Sequence, residues 1–197
     1  MPNWCENTVT FRHADPAQIK KVVAGYNAGK LMGKFFPCPR ALTSTTSGFL
    51  GKTLEQIKLE EKQARNLKKY GYENWYDWQV AEWGTKWDVG APEGHKEKIK
   101  AGATEVKLRF DSAWSPPIQF YEKMHYDRDF EIDAMFFEPG VGFIGSWKNG
   151  TDDTHMLEEF SGATRAETLT NMTAKLPAEL LETFGVVDFL GDDEPEE

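Results

Sequence analysis

The chain is short of cysteine, with two in 197 residues. Cys5 and Cys38 cannot build a disulfide framework and form no zinc-type spacing, so they read as reduced thiols of a cytoplasmic protein. Long apolar runs are missing too. Nothing approaches the roughly 18 residues that span a bilayer, and Met1-Pro2-Asn3-Trp4-Cys5-Glu6 has neither the basic nor the apolar region of a secretory leader, so no membrane association is expected. Basic charge is scarce, with 23 Lys and Arg against 32 Asp and Glu and a formal net charge of -9. That excess is concentrated at one end. Asp192, Asp193, Glu194, Glu196 and Glu197 carry five of those charges, so residues 191–197 read as a solvated, disordered acidic tail and the rest keeps an ordinary balance.

Tryptophan, by contrast, is plentiful. Seven occur in the chain, and four of them, Trp75, Trp78, Trp83 and Trp87, fall within residues 74–88 with charged and amide side chains between them. At about 25 cal/mol per Å2, a buried indole covering roughly 150–250 Å2 contributes about 4–6 kcal/mol as an upper bound, so the cluster is expected to anchor part of the fold.

Val9 and Phe11 alternate with Thr8, Thr10 and Arg12 as in a half-buried strand, with Cys5 and Asn7 in the inward phase. Asp15-Pro16-Ala17-Gln18 then starts a helix with Ile19, Val22, Val23 and Tyr26 on one face. Residues 35–39 are extended or turning because of their prolines, and a Ser/Thr-rich loop follows over 43–48. Residues 53–69 read as a helix with a Thr53/Gln56 capping box, Gly71 beyond its end and a thin inward seam of Ile57, Ala64 and Leu67. A second helix runs from Trp75 to Trp83, with Gly84 closing it and Thr85 to Val89 extended alongside a sheet. Val106, Leu108 and Phe110 mark a strand, and Trp114 shares their phase. Ser115 caps a helix bearing Phe120, Tyr121 and Met124. Phe130, Ile132, Ala134 and Phe136 form the next strand, with Asp127, Asp129, Glu131 and Asp133 on its solvated face. A strand over 141–148 turns at Asn149-Gly150 into another near 154–159, and helical turns follow around 177–184. The order predicts an α+β fold of ferredoxin-like split βαβ type: an antiparallel or mixed sheet with helices on one face and a Trp-rich helical insertion at about 50–90. Residues 1–190 form one domain.

Met1-Pro2-Asn3-Trp4-Cys5-x-Asn7, Tyr76-Asp77-Trp78, Trp83-Gly84-Thr85-Lys86-Trp87-Asp88 and Ala113-Trp114-Ser115-Pro116-Pro117 resemble the YubB-type ferredoxin-like domain family of bacteriophages and conjugative plasmids over roughly residues 1–150. The resemblance implies a ferredoxin-like domain on a mobile element and carries no catalytic residues with it. Family members often place Asn before the Trp-Gly-Thr-Lys-Trp run, where this chain has Glu82.

Motifs of chemistry fail on context. Gly140-Val141-Gly142-Phe143-Ile144-Gly145 matches a dinucleotide fingerprint but leads into a strand and a hairpin instead of opening a helix. Gly51-Lys52-Thr53 lacks the first glycine of a phosphate loop and a buried strand before it. His13, His95, His125 and His155 share no ligand spacing, the acidic residues at 127–133 lack the features of a calcium loop, and no hydrolase nucleophile motif occurs. Neither a metal nor a cofactor is expected.

Two constellations remain. Asn3, Trp4, Trp75, Trp78, Trp83, Lys86, Trp87, Asp88 and Trp114 can form an aromatic site with a few polar groups, or can be packing that knits the insertion to the sheet. Lys58, Lys62, Arg65 and Lys69 recur on one helix face before Tyr70 and Tyr72, as in a phosphate-tracking stripe or in a plain solvated helix. The leading expectation is a non-enzymatic phage or plasmid protein that engages a host protein in the bacterial cytoplasm. The alternatives are a small-ligand or nucleotide-binding domain with a Trp-lined pocket, and nucleic-acid binding through the basic stripe. Trp87 and Trp114 are expected to be packed against the Trp4 region, with Trp87→Ala costing about 3–5 kcal/mol.

Overall fold

The computed structural model describes residues 3–190; Met1, Pro2 and the expected acidic tail lie outside the described residues. Along the chain come β1 (Trp4–Arg12), α1 (Pro16–Asn27), α2 (Leu31–Phe35), α3 (Arg40–Thr43), α4 (Leu54–Tyr70), α5 (Trp75–Trp83), β2 (Glu105–Ala113), α6 (Ile118–Arg128), β3 (Glu131–Glu138), β4 (Phe143–Lys148), β5 (Thr151–Met156), a 3-10 turn (Leu157–Phe160), α7 (Arg165–Lys175), α8 (Ala178–Thr183) and α9 (Val186–Phe189). The fold is α+β, built on one five-stranded sheet of order β2-β1-β3-β4-β5 in which every pairing is antiparallel. Because β2 and β3 both oppose β1, they run parallel to each other with β1 between them and α6 as their connection.

Period-two alternation decides which side chains meet. Cys5, Val9 and Phe11 of β1, Val106, Leu108 and Phe110 of β2, and Ile132, Ala134 and Phe136 of β3 share one face. Against it pack α1, α2, α5 and α6 through Ile19, Val22, Leu31, Trp78, Trp83, Phe120, Tyr121 and Met124. The opposite face is covered as well, contrary to the expected one-sided arrangement. Phe137 and Ile144 there meet Met172, Leu176, Leu180, Leu181 and Val186 of the C-terminal helices. Helix α7 starts at Thr164, whose hydroxyl accepts from the Glu167 amide, a start signal the expected C-terminal turns passed over.

Other boundaries move for local reasons. Phe35 belongs to α2, and the extended stretch begins at Phe36. Asn149 and Gly150 take positive φ, 46° and 94°, as a two-residue hairpin turn requires, so β5 begins at Thr151, three residues before its expected start. Asp127 lies in α6, and Asp129 closes that helix in the left-handed region at φ 57°. Only Glu131 and Asp133 of the expected acidic alternation therefore sit on β3. Pro117, not Ser115, stands at the N-cap of α6.

Helix α4 is rolled relative to the expectation. Its buried positions are Leu59 and Asn66, whereas Ile57 and Leu67 are 53% and 48% exposed. Polar side chains tie it down: Asn66 Nδ2 donates to Thr45 Oγ1 at 2.9 Å and to the Glu73 carbonyl at 3.0 Å, and Gln63 Nε2 donates to the Thr46 carbonyl at 3.2 Å. No helix among the described residues is long and apolar enough to cross a membrane.

Candidate functional site

Asn74 starts α5 by accepting from the amides of Tyr76 and Asp77, and Gly84 stops it in the left-handed conformation at φ 88°. Helical spacing then sorts the aromatics. Trp78 and Trp83 turn into the core, 8% and 3% exposed, with ring centroids 5.4 Å apart and the Trp83 indole donating to the Phe36 carbonyl at 2.9 Å. These two candidate residues are packing and present no face to a partner. Trp75 and Tyr76, half-buried, meet edge to face at 5.8 Å.

Residues 85–89 do not run extended as expected. They bend, pinned on each side of a short outward bulge. On one side the Thr85 hydroxyl donates to the Ala113 carbonyl at 2.9 Å and Ser115 Oγ donates to the Gly84 carbonyl at 2.6 Å. On the other, the Asp88 carboxylate accepts from the amides of Met32, Gly33 and Val89 at 2.8–2.9 Å. Burial raises the Asp88 pKa, and those three amides pull it back only in part. Asp88 thus caps α2. Between the pins, Lys86 and Trp87 have nowhere to go but outward.

Trp114 is turned out by its own backbone. One residue past β2, its amide donates to the Asn3 carbonyl at 2.9 Å and its φ is 69°. For a bulky aromatic residue that is a strained conformation, worth on the order of 1–3 kcal/mol, of a kind that clusters at functional sites. It breaks the alternation of Val106, Leu108 and Phe110, so the indole leaves the core phase and stands 40% exposed.

The outward residues meet in a continuous ridge. Trp4 and Trp87 have centroids 6.0 Å apart, and Tyr76 meets Trp114 edge to face at 6.4 Å. The Lys86 ammonium joins the two halves, 4.6 Å from the Trp87 ring, 4.8 Å from Trp114 and 5.8 Å from Tyr76. Exposed cation–π contacts of this kind contribute about 0.5–1 kcal/mol each. Among the described residues no carboxylate pairs with Lys86, so the ridge shows a cation framed by aromatic faces. Trp4 and Trp87 are 46% and 39% exposed. The expected contact of Trp87 with the Trp4 region is made, but at the surface and not in the interior.

Three of the four basic-stripe side chains have local partners. Lys62 Nζ turns back to the Ser44 carbonyl at 2.6 Å, where it faces the C-terminus of α3. Arg65 pairs with Glu61 at 3.9 Å, and Lys69 lies 5.0 Å from the Tyr70 ring. Lys58 remains exposed. Glu82 accepts from the Tyr72 hydroxyl at 2.6 Å and from Lys123. Burial raises its pKa, the Lys123 and Tyr72 hydrogen bonds outweigh that, and the net shift is downward. Gly140 to Gly145 leads into β4, with no helix N-terminus to hold a pyrophosphate. Among the described residues no cluster of His, Cys, Asp and Glu is arranged to hold a metal ion.

Two residues, one of the ridge and one beside it, are not singled out by the sequence pattern. Tyr76 lies two positions before the buried Trp78 and so faces away from it. Asp111 follows from the outward phase of Glu105, Lys107 and Arg109, and it stands opposite Glu6 in the β1–β2 register.

No family model matches the chain, and no curated protein does. Among solved structures, the chain is similar to a crystal structure of protein api92 from Yersinia pseudotuberculosis, of family model DUF1281. The two are 14% identical, with 83% of this chain and 99% of that chain covered, at a TM-score of 0.37.

Proposed function

We propose that the chain is a non-enzymatic binding protein of a phage or plasmid, acting in the bacterial cytoplasm, that engages a host protein through the ridge of Trp4, Trp87, Lys86 and Trp114 in the service of host takeover or counter-defence. The observation that carries this reading is Trp114, a large indole held in a strained backbone conformation that exposes it beside the Lys86 ammonium, which has no carboxylate partner among the described residues. Exposed tryptophan and tyrosine are frequent anchors of protein interfaces, and packing alone gives no reason to hold an indole outside the core. Membership of the YubB-type family and a ferredoxin-like ancestry belong to the same proposal. The unit β2-α6-β3 split around β1 supports the ancestry; the β3-β4-β5 meander is where this chain departs from the doubled pattern.

Affinity capture from host lysate, run in parallel with wild type and with a Lys86→Glu, Trp114→Gly variant whose fold is verified by circular dichroism, tests it. A stoichiometric host protein retained by the wild type and lost from the variant is expected. The same proteins on both, or a co-purifying small molecule with no protein partner, would overturn it.

A further inference from the structure

Beside the ridge, where loop 85–92 passes β2, lies a cavity of about 300 Å3 lined by Trp4, Trp87, Asp88, Pro92, Asp111 and Ala113, among others. Its walls differ in chemistry. Trp4 and Trp87 give two indole faces, and of the two carboxylates Asp88 is committed to the amides of α2. The Asp111 carboxylate makes no hydrogen bond or ion pair to any described residue. Across the register stands a second carboxylate, Glu6, and like charges directly opposite each other on a sheet repel. Arg109 eases Glu6 in part, and burial raises the Asp111 carboxyl above its ordinary value. A cavity of that size is at the small end for ligands, too small for a cofactor and large enough for one polar side chain with its stem.

We infer that this cavity receives an arginine side chain of the protein partner, its guanidinium lying against the Trp4 and Trp87 indoles that line the wall and paired with the Asp111 carboxylate. The choice of arginine follows from the chemistry of the walls. A guanidinium is planar, stacks on indoles, is weakly hydrated, and presents a fork of donors matched to a carboxylate. A lysine ammonium keeps its water more tightly and gains less from flat walls. Trp87 is then shared between a cation of this chain, Lys86, and a cation of the partner. This inference rests on the ridge being a docking surface, and it assigns one contact of that surface.

The test is a titration of the whole chain with N-acetyl-arginine amide, followed by the indole N–H resonances of all seven tryptophans. The neutral isostere N-acetyl-citrulline amide, N-acetyl-lysine amide and free arginine run alongside. Saturable shifts confined to Trp4 and Trp87 are expected with the arginine amide, weaker ones with the lysine amide and none with citrulline. Asp111→Asn should weaken arginine-amide binding about tenfold or more, the scale of one charge-assisted contact. The titration reads the cavity with a small probe and the capture experiment reads the ridge with a protein partner, so failure of the docking proposal and failure of the cavity assignment are separable. Equal shifts with citrulline, shifts centred on other tryptophans, or Asp111→Asn binding like wild type would overturn the assignment. Free arginine binding more tightly than its amide would also overturn it, by making the site one for a small molecule. Should Asp111→Asn fail to fold, the arginine-against-citrulline comparison on the wild type decides alone.

Discussion

Trp83 and Trp87 stand four residues apart in one motif, and their neighbours give them opposite tasks. Trp83 fills the core and satisfies its indole N–H on Phe36; Trp87 rides a bend fixed by Thr85 and Asp88. Trp83→Ala should therefore cost about 3–5 kcal/mol, whereas Trp87→Ala should cost less than about 2 kcal/mol. Urea unfolding of both variants measures the difference, and equal losses would place Trp87 back among the packing residues. From the sequence alone the two indoles were indistinguishable. What separates them is non-local: Phe36 lies 47 positions from Trp83, and the carbonyl that pins Thr85 belongs to Ala113. Trp114 was misplaced for a related reason, because alternation along β2 predicts an inward side chain and nothing in the pattern signals the positive φ that ends it.

At the scale of elements, α4 shows how a legible helix can still hide its orientation. Thr53 as the cap and Gly71 as the stop were readable because capping chemistry is local. The buried side was not, since a polar stripe of Gln56, Leu59, Lys62, Gln63 and Asn66 has the same period as the apolar stripe of Leu54, Ile57, Ala64 and Leu67. The partners that choose between them, Ser44, Thr45 and Thr46, sit in a loop of no recognisable pattern. Asn66→Ala leaves Thr45 and the Glu73 carbonyl without their donor and should cost about 1–3 kcal/mol. Leu67→Ala on the outer side should cost about 0.5 kcal/mol or less. Thermal unfolding of the pair checks the roll of the helix, and the reverse ranking would restore the Ile57–Leu67 seam.

For the whole molecule, strands β1 to β3 were legible because each strand's alternation reports its own buried side. The two-sided cover was not, because Phe137 and Ile144 take the solvent phase of their strands and only the C-terminal helices explain their burial. At least two exposed apolar regions result from this architecture among the described residues. One is the indole ridge; a second is the end of α4 with its preceding loop, where Phe49 and Leu54 are 73% and 76% exposed. Exposure alone would favour the second region, whereas backbone strain and the caged ammonium favour the first. Hydroxyl-radical footprinting of the chain with and without the partner that the proposed capture would yield separates them most directly. Oxidation of Trp4, Trp87 and Trp114 should fall several-fold in the complex while Phe49 and Leu54 stay as reactive as in the free protein. Protection of Phe49 and Leu54 with the three indoles still fully oxidised would contradict the ridge as the docking surface.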